Sequence, residues 1–325
     1  MNETFTSEEI LDKLKGLESR LLKRVFDASY SENLRTYDLI DHLEGKACEY
    51  SLVEDGDYVS LIRDLRKLGS SIGALINGKR GESMAAKTLK CLSGEDLVLS
   101  NVALENGGSF EEYDQIVIAR SGVYVIEVKN YSRAALIGED GILRCGAVTY
   151  NVGERMLEKR RALWDAIRFS SEGFMSEDDI HCMLLFVNDD FKVSDYFHRV
   201  PVKRRGQIVY DIRDADRGGL GLEWEEMKRI SSAIVTRKVP ATFPMPVDPD
   251  LMVTRLEAVL TLIEAMATDN LVATEVSPVD ELKDCPANKS ISSISDRVVE
   301  WLPVAAALLL GAIGIGGYAK CTLKA

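Results

Sequence analysis

The sequence predicts an α/β fold, a mixed sheet flanked by helices, preceded by a helical region and followed by an apolar segment of membrane-spanning length. Three observations predict it. Apolar residues recur at steps of three and four over residues 1–77, β-rich runs alternate with helical patterns over 78–245, and an uncharged run lies near the end of the chain. With 325 residues, 46% hydrophobic and 28% charged, the chain can bury a substantial core and is too apolar to be disordered. A net charge of -12 repels polyanions, so contact with nucleic acid has to come from local basic clusters. The six cysteines include no CxxC pair and the three histidines are scattered, which argues against a zinc site and suits a reducing compartment.

The elements follow in order. Thr6 and Glu9 stand in capping-box register, and Ile10, Leu14, Leu17, Leu21 and Val25 then define an amphipathic helix over 6–26. "LRTYDLIDHLEG" and "DYVSLIRDLRKLGSSIGALI" continue a helical region over 1–77, read as scaffold or partner surface. At "NGKRGESMAAKTLKCL" a Gly-punctuated loop leads into a helix from Glu82 to Cys91. "DLVLSNVAL" alternates as a strand, and "YDQIVIARSGVYVIEVKN" is two β-rich runs joined at Arg120-Ser121-Gly122. "AALIGEDGILRCGAVTYNV" suggests a second hairpin and "GERMLEKRRALWDAIRF" a helix. "HCMLLFVN" and "GQIVYDI" read as short strands and "EWEEMKRISSAIV" as a helix. A closing helix occupies 246–271 and a polar linker 272–297.

Within 298–319, the run from Trp301 to Ala319 carries no charge. As a helix it spans about 28 Å, close to a bilayer core of ~30 Å. Trp301 and Tyr318 sit at its ends, and Lys320 and Lys324 follow in the tail 320–325. "MNETFTSEEI" has neither a basic n-region nor an apolar h-region, so no secretory signal is expected. The expected topology is a single-pass C-terminal anchor with the large domain in the cytoplasm, the alternative for this run being a buried core helix or a Gly-rich apolar tail.

The chemistry centres on Glu127 and Lys129. An acid-x-Lys triplet occurs five times, at Glu44, Glu127, Asp190, Glu226 and Glu281, so spacing alone carries nothing. Only Glu127 to Lys129 lies in an alternating strand with a paired acidic strand before it. If the hairpin turns on Ser121 and Gly122, residue 116 faces 127 and 114 faces 129. Asp114, Glu127 and Lys129 then share one face of the sheet. A two- or four-residue loop preserves that arrangement, whereas a three-residue loop sends Asp114 to the other face. Two readings stay open. The three residues are a cross-strand charge cluster worth ~0.2–1 kcal/mol per pair, or they are a metal site. Two carboxylates suit Mg2+ (or Mn2+), and Lys129 beside such an ion could orient water, offset phosphate charge or act as a base.

"GKRGESMAAKTL", "YDQIVIARSGVYVIEVKNY" and "GEDGILRCG" together resemble the nuclease-related domain (NERD) of the PD-(D/E)xK nuclease superfamily, over roughly 78–190. The resemblance implies a restriction-endonuclease-like core, with Asp114 and Glu127 as metal-binding acids, Lys129 as the catalytic lysine and Glu82 as the helix acid. Tyr113 stands where relatives often have an aliphatic residue, and the helix after Asn151 lacks the glutamine many carry. Lys159 and Arg160 in "EKRRALW", and Lys203, Arg204 and Arg205 in "HRVPVKRR", are candidate phosphate contacts, or else a solvated helix face and a basic loop. The expected function is a membrane-anchored, metal-dependent nuclease. The competing expectation is a catalytically silent nuclease fold that binds nucleic acid, or a protein partner through the N-terminal helices, at the membrane.

Overall fold

The computed structural model describes residues 3–26, 32–92, 94–106, 109–146, 148–218 and 221–274. These fall into two compact units, one formed by the residues up to Ala74 with those from Phe243 on, the other by Leu75–Thr242. The first unit opens with strand β1 (Thr4–Phe5) and helix α1 (Ser7–Val25), whose start carries the Thr6/Glu9 capping box. Thr6 N–H donates to Glu9 Oε2 at 2.8 Å and Glu9 N–H to Thr6 Oγ1 at 3.3 Å. Ile10, Leu14, Leu17 and Leu21 are buried along its apolar stripe. Helix α2 (Thr36–Glu49) buries Leu39, Ile40 and Leu43, and Glu18 of α1 accepts the Thr36 N–H at 2.8 Å.

Helix α3 (Gly56–Leu89) is continuous, so residues 78–81 are helical where a Gly-punctuated loop was expected. The reason is packing. A Cβ built on Gly81 would lie 2.8 Å from the Asn130 Cβ, so glycine is there to let the helix approach the end of a strand rather than to break the helix.

The second unit is a three-layer α/β/α arrangement. Strands β2 (Leu97–Asn106), β3 (Ser109–Ala119) and β4 (Gly122–Lys129) form an antiparallel meander. A small meander follows, of β5 (Ala135–Ile137), β6 (Ile142–Cys145) and β7 (Val148–Asn151). It runs directly into helix α4 (Val152–Ile167). The chain returns as β8 (Ile180–Phe186) parallel to β4, passes through β9 (Val193–Asp195) beside β5, and adds β10 (Val202–Arg204) parallel to β8. The main sheet therefore has the order β10-β8-β4-β3-β2. Residues 206–212, expected as a strand, lie in helix α5 (Arg205–Ala215). Ile208 and Ile212 are four apart and buried, and Gln207 Oε1 accepts the Arg204 N–H at 3.0 Å, so the run obeys a helical period in spite of its β-branched content. Helix α6 (Trp224–Thr236) completes the unit.

Alternation along the strands feeds two cores. Val117, Ala119, Tyr124, Ile126, Met183 and Leu185 pack with Ala85 and Leu89 of α3 and Ile208 and Ile212 of α5. Ile116, Ile118, Val123, Val125, Leu184 and Phe186 face α4 and α6. Beyond this unit the chain forms β11 (Phe243–Pro244), antiparallel to β1, and helix α7 (Pro249–Thr274). Glu257 of α7 accepts two hydrogen bonds from the Arg24 guanidinium, at 2.7 and 2.8 Å. Among the described residues no helix is long and apolar enough to cross a membrane. The run from Trp301 to Ala319 lies outside the described residues.

The two nearby glycines of α3 are expected to respond in opposite ways. A Cβ on Gly78 meets only Glu82 Oε1 at 3.9 Å, so Gly78→Ala raises stability by about 0.5–1 kcal/mol through helix propensity. Gly81→Ala loses about 1 kcal/mol or more, because Asn130 has to move. Urea denaturation of the two variants checks the contrast.

Candidate active site

The β3–β4 hairpin closes on Arg120 and Ser121, with Ala119 opposite Gly122, rather than on Ser121 and Gly122. Gly122 has φ +137° and starts the strand, while Asp216 clamps the turn by accepting the Ser121 N–H at 2.9 Å and the Ser121 hydroxyl at 2.6 Å. The loop keeps two residues, so parity survives, but every partner shifts by two. Ile116 faces Val125, and the ladder ends at Gln115 opposite Ile126. One step further stand Asp114 and Glu127. There Asp114 Oδ2 accepts the Val128 N–H at 2.7 Å.

The β2–β3 ladder opens at the same level. Ser100 pairs with Gln115 and Val102 with Tyr113, leaving Asn101 and Asp114 out of the register between them. Asn101 has φ +51°, the left-handed region that asparagine tolerates better than most residues. Alternation switches there in both strands: Leu99 and then Val102 face the α4 side, as do Ile116 and then Tyr113. Such a local break re-aims side chains. Asn101 hydrogen-bonds through its side chain to Glu82 of α3, which brings the helix acid to this level.

Glu127 is the centre of the cluster. Its Oε1 accepts from Lys129 Nζ at 2.8 Å and from the Tyr150 hydroxyl at 3.2 Å, and its Oε2 accepts from Lys159 Nζ at 2.5 Å. All three charged groups are buried, at 5% exposure for Glu127, 6% for Lys129 and 5% for Lys159. The Lys129 ammonium also lies 3.9 Å from the centre of the Tyr150 ring, a cation–π contact. Lys159 Nζ donates to the Glu112 carbonyl at 2.6 Å, and the Tyr113 hydroxyl donates to the Lys159 carbonyl at 2.9 Å. Tyr113 thus anchors α4 by its hydroxyl, which an aliphatic residue could not do. One turn before Lys159, Arg155 pairs with Glu111 at 2.8 Å.

Burial and charge pull the acids apart. Burial pushes the Asp114 carboxyl up to about 7, with the charge of Glu127 adding to it. Burial also works to raise Glu127, but Lys129 and Lys159 outweigh it and hold the carboxyl well below the usual range. Both lysines are themselves raised: burial works to lower them, but Glu127 together with Tyr150 and Asp114 outweighs it. Glu82 and Glu112 are raised, burial being the first cause in each. Lys129 is therefore a firm cation here and not a base in waiting.

The remaining sequence candidates stand apart from this cluster. Arg160 lies 3.2 Å from Glu177 and Lys203 Nζ 2.5 Å from Asp211. Arg204 donates to the carbonyls of Asp189 and Phe191 at 2.7 and 2.6 Å, and Arg205 pairs with the Asp189 carboxylate. Lys203, Arg204 and Arg205 have protein acceptors that a phosphate would have to replace, whereas the buried Arg160 Nε has no hydrogen-bond partner among the described residues. Lys159, expected as a phosphate contact or on a solvated face, is buried at the centre. Its signal was its place in the apolar stripe Val152, Met156, Leu163 and Ile167 of α4.

Residues 77–186 match the family model of the nuclease-related domain, NERD. The chain carries a nuclease-related domain. The match spans about a third of the chain, from α3 to the last residue of β8, and contains Glu82, Asp114, Glu127, Lys129 and Lys159. No curated protein and no solved structure matches the chain. The carboxylates of Glu82, Asp114 and Glu127 are hard oxygen donors, and this chemistry fits Mg2+ or Mn2+. As the side chains stand, among the described residues no group of three His, Cys, Asp or Glu is arranged to hold a metal ion.

Two outcomes are expected of the NERD cluster. Folding favours protonated Asp114, so its contribution is present below the ordinary carboxylate pKa of ~4 and is lost as pH rises through about 7. Asp114→Asn, fixed neutral, is then more stable than wild type by roughly 2 kcal/mol at pH 8, with the difference gone by pH 4, read from melting at the two pH values. Asn101→Ala has to hold alanine in a left-handed conformation and loses about 1 kcal/mol more than Asn101→Gly, measured by denaturant titration.

Proposed function

We propose that the NERD-containing unit is a divalent-metal-dependent nuclease that hydrolyses phosphodiester bonds of nucleic acid. The observation that carries this reading is the gathering of Asp114, Glu127 and Lys129, with Glu82 beside them, where the sheet ladder opens. Asp114 and Glu127 would hold Mg2+ or Mn2+, with Glu82 adding a further oxygen. Such an ion supplies a water of lowered pKa and offsets charge at phosphorus. Lys129 contributes a fixed positive charge for the phosphate and an N–H to orient water, and Glu127 keeps it protonated. The Lys129 ammonium also lies over the ring of Tyr150, which adds to its stabilisation as a cation. An anchor at 298–319 with the NERD unit on the cytoplasmic side completes the proposal, supported by the uncharged run from Trp301 to Ala319.

One observation favours the alternative of a catalytically silent nuclease fold that binds nucleic acid or a protein partner at the membrane. Both oxygens of Glu127 are already taken by lysines. The purified full-length chain, incubated with single- and double-stranded DNA and RNA, is expected to cleave only when Mg2+ or Mn2+ is present. Asp114→Ala and Lys129→Ala are each expected to lower the rate by about 100-fold or more. Binding of nucleic acid with no turnover under any metal would favour the silent reading.

A further inference from the structure

We propose that Lys159 is a positioning residue that sets how strongly the site binds a divalent cation, by holding a fixed positive charge on the carboxylate such an ion needs. The inference rests on the nuclease reading and concerns a residue outside the Asp114, Glu127 and Lys129 set. The Lys159 ammonium occupies an oxygen-lined position, 2.5 Å from Glu127 Oε2, 2.6 Å from the Glu112 carbonyl oxygen and 3.9 Å from Glu111 Oε1. These are the hard oxygen donors that a metal ion would otherwise draw on.

The position is built, not incidental. Tyr113 fixes the helix at the Lys159 carbonyl, Arg155 pairs with Glu111 one turn earlier, and the Asn151 side chain caps the helix by accepting the Glu154 N–H at 3.1 Å. A side chain 5% exposed cannot swing its ammonium into water without moving α4. Glu127 therefore meets an incoming cation with Oε2 already engaged and with a like charge behind it. At such short range a fixed unit charge changes the affinity for a divalent ion by about tenfold or more, even when screened as at a protein surface. Lys159 thus holds metal affinity below what the surrounding acids alone would give.

Calorimetric titration of the purified full-length chain with Mn2+ tests this, comparing wild type with Lys159→Gln and Tyr113→Phe. Lys159→Gln removes the charge and keeps a donor for the Glu112 carbonyl. Tyr113→Phe loosens the helix anchor and leaves the charge in place. Lys159→Gln is expected to bind Mn2+ about tenfold or more tightly than wild type, whereas Tyr113→Phe lowers the melting temperature and leaves Mn2+ affinity unchanged. Should Lys159→Gln fail to fold, Lys159→Met, of similar length and without charge, carries the same expectation. Equal or weaker Mn2+ binding by the neutral variants, or equal tightening by Tyr113→Phe, would overturn the proposal while leaving the nuclease reading in place. Absence of Mn2+ binding by wild type and by folded Lys159→Gln overturns both.

Discussion

The NERD unit is organised around one buried carboxylate held between two buried lysines. Glu127 at the end of β4 takes Lys129 from its own strand and Lys159 from α4, and the Tyr150 hydroxyl from β7 adds a third donor. Three charges at 5–6% exposure are tolerable only together, because removing one partner of a buried pair strands the other at a cost of about 3–5 kcal/mol. The constraint reaches far along the chain. It fixes the end of β4, the helix register of α4 and the last strand of the small meander, which passes from Tyr150 into the cap of α4 within one residue. The small meander thereby has a physical purpose: it aims Tyr150 and the helix that carries Lys159 at the same acid.

The acids are gathered where regular hydrogen bonding stops. An unbroken β2–β3–β4 ladder would leave Asn101, Asp114 and Glu127 as ordinary neighbours in a row across the sheet. With Asn101 left-handed, the row opens, Asp114 turns its carboxylate onto the Val128 N–H, and Glu82 is drawn in through the Asn101 side chain. Backbone strain of this kind persists only where the surroundings over-determine it. Here three strands and a glycine-permitted approach of α3 at Gly81 do so.

Much of this was legible in the sequence, and the failures are specific. Strand alternation and short β-rich or apolar runs mark β2, β3, β4 and β8 in the sequence, and strand setting singles out the acid-x-Lys triplet at Glu127. The turn was misplaced by one residue because Gly122 looked like a turn glycine. In the structure it opens β4, and Asp216, distant in sequence, holds the turn. Parity was nevertheless preserved, so Asp114 still met Glu127. Residues 206–212 and 78–81 were misread for a common reason: local propensity, β-branched in one and glycine-rich in the other, yielded to tertiary packing. Lys159 reads as a phosphate contact or part of a solvated face because it stands beside two arginines. Only the helical phase of Val152, Met156 and Leu163 marks it as inward.

The charge balance of the cluster gives the metal proposal its physical form. Glu82, Glu111, Glu112, Asp114 and Glu127 interact electrostatically within one partly buried volume, with Lys79, Lys129, Arg155 and Lys159 as their cations. Carboxyl groups outnumber the cations in this volume. The protein distributes this excess unevenly. Glu127, with both lysines, stays charged, and the burden falls on Asp114, Glu82 and Glu112, whose carboxyls are pushed upward. A site already neutral would gain little from a divalent cation, and one lacking the lysines would bind it so tightly that exchange would slow. Under the nuclease proposal, a negative excess offset in part by a buried lysine suits an ion that is admitted together with a phosphate and released with the product.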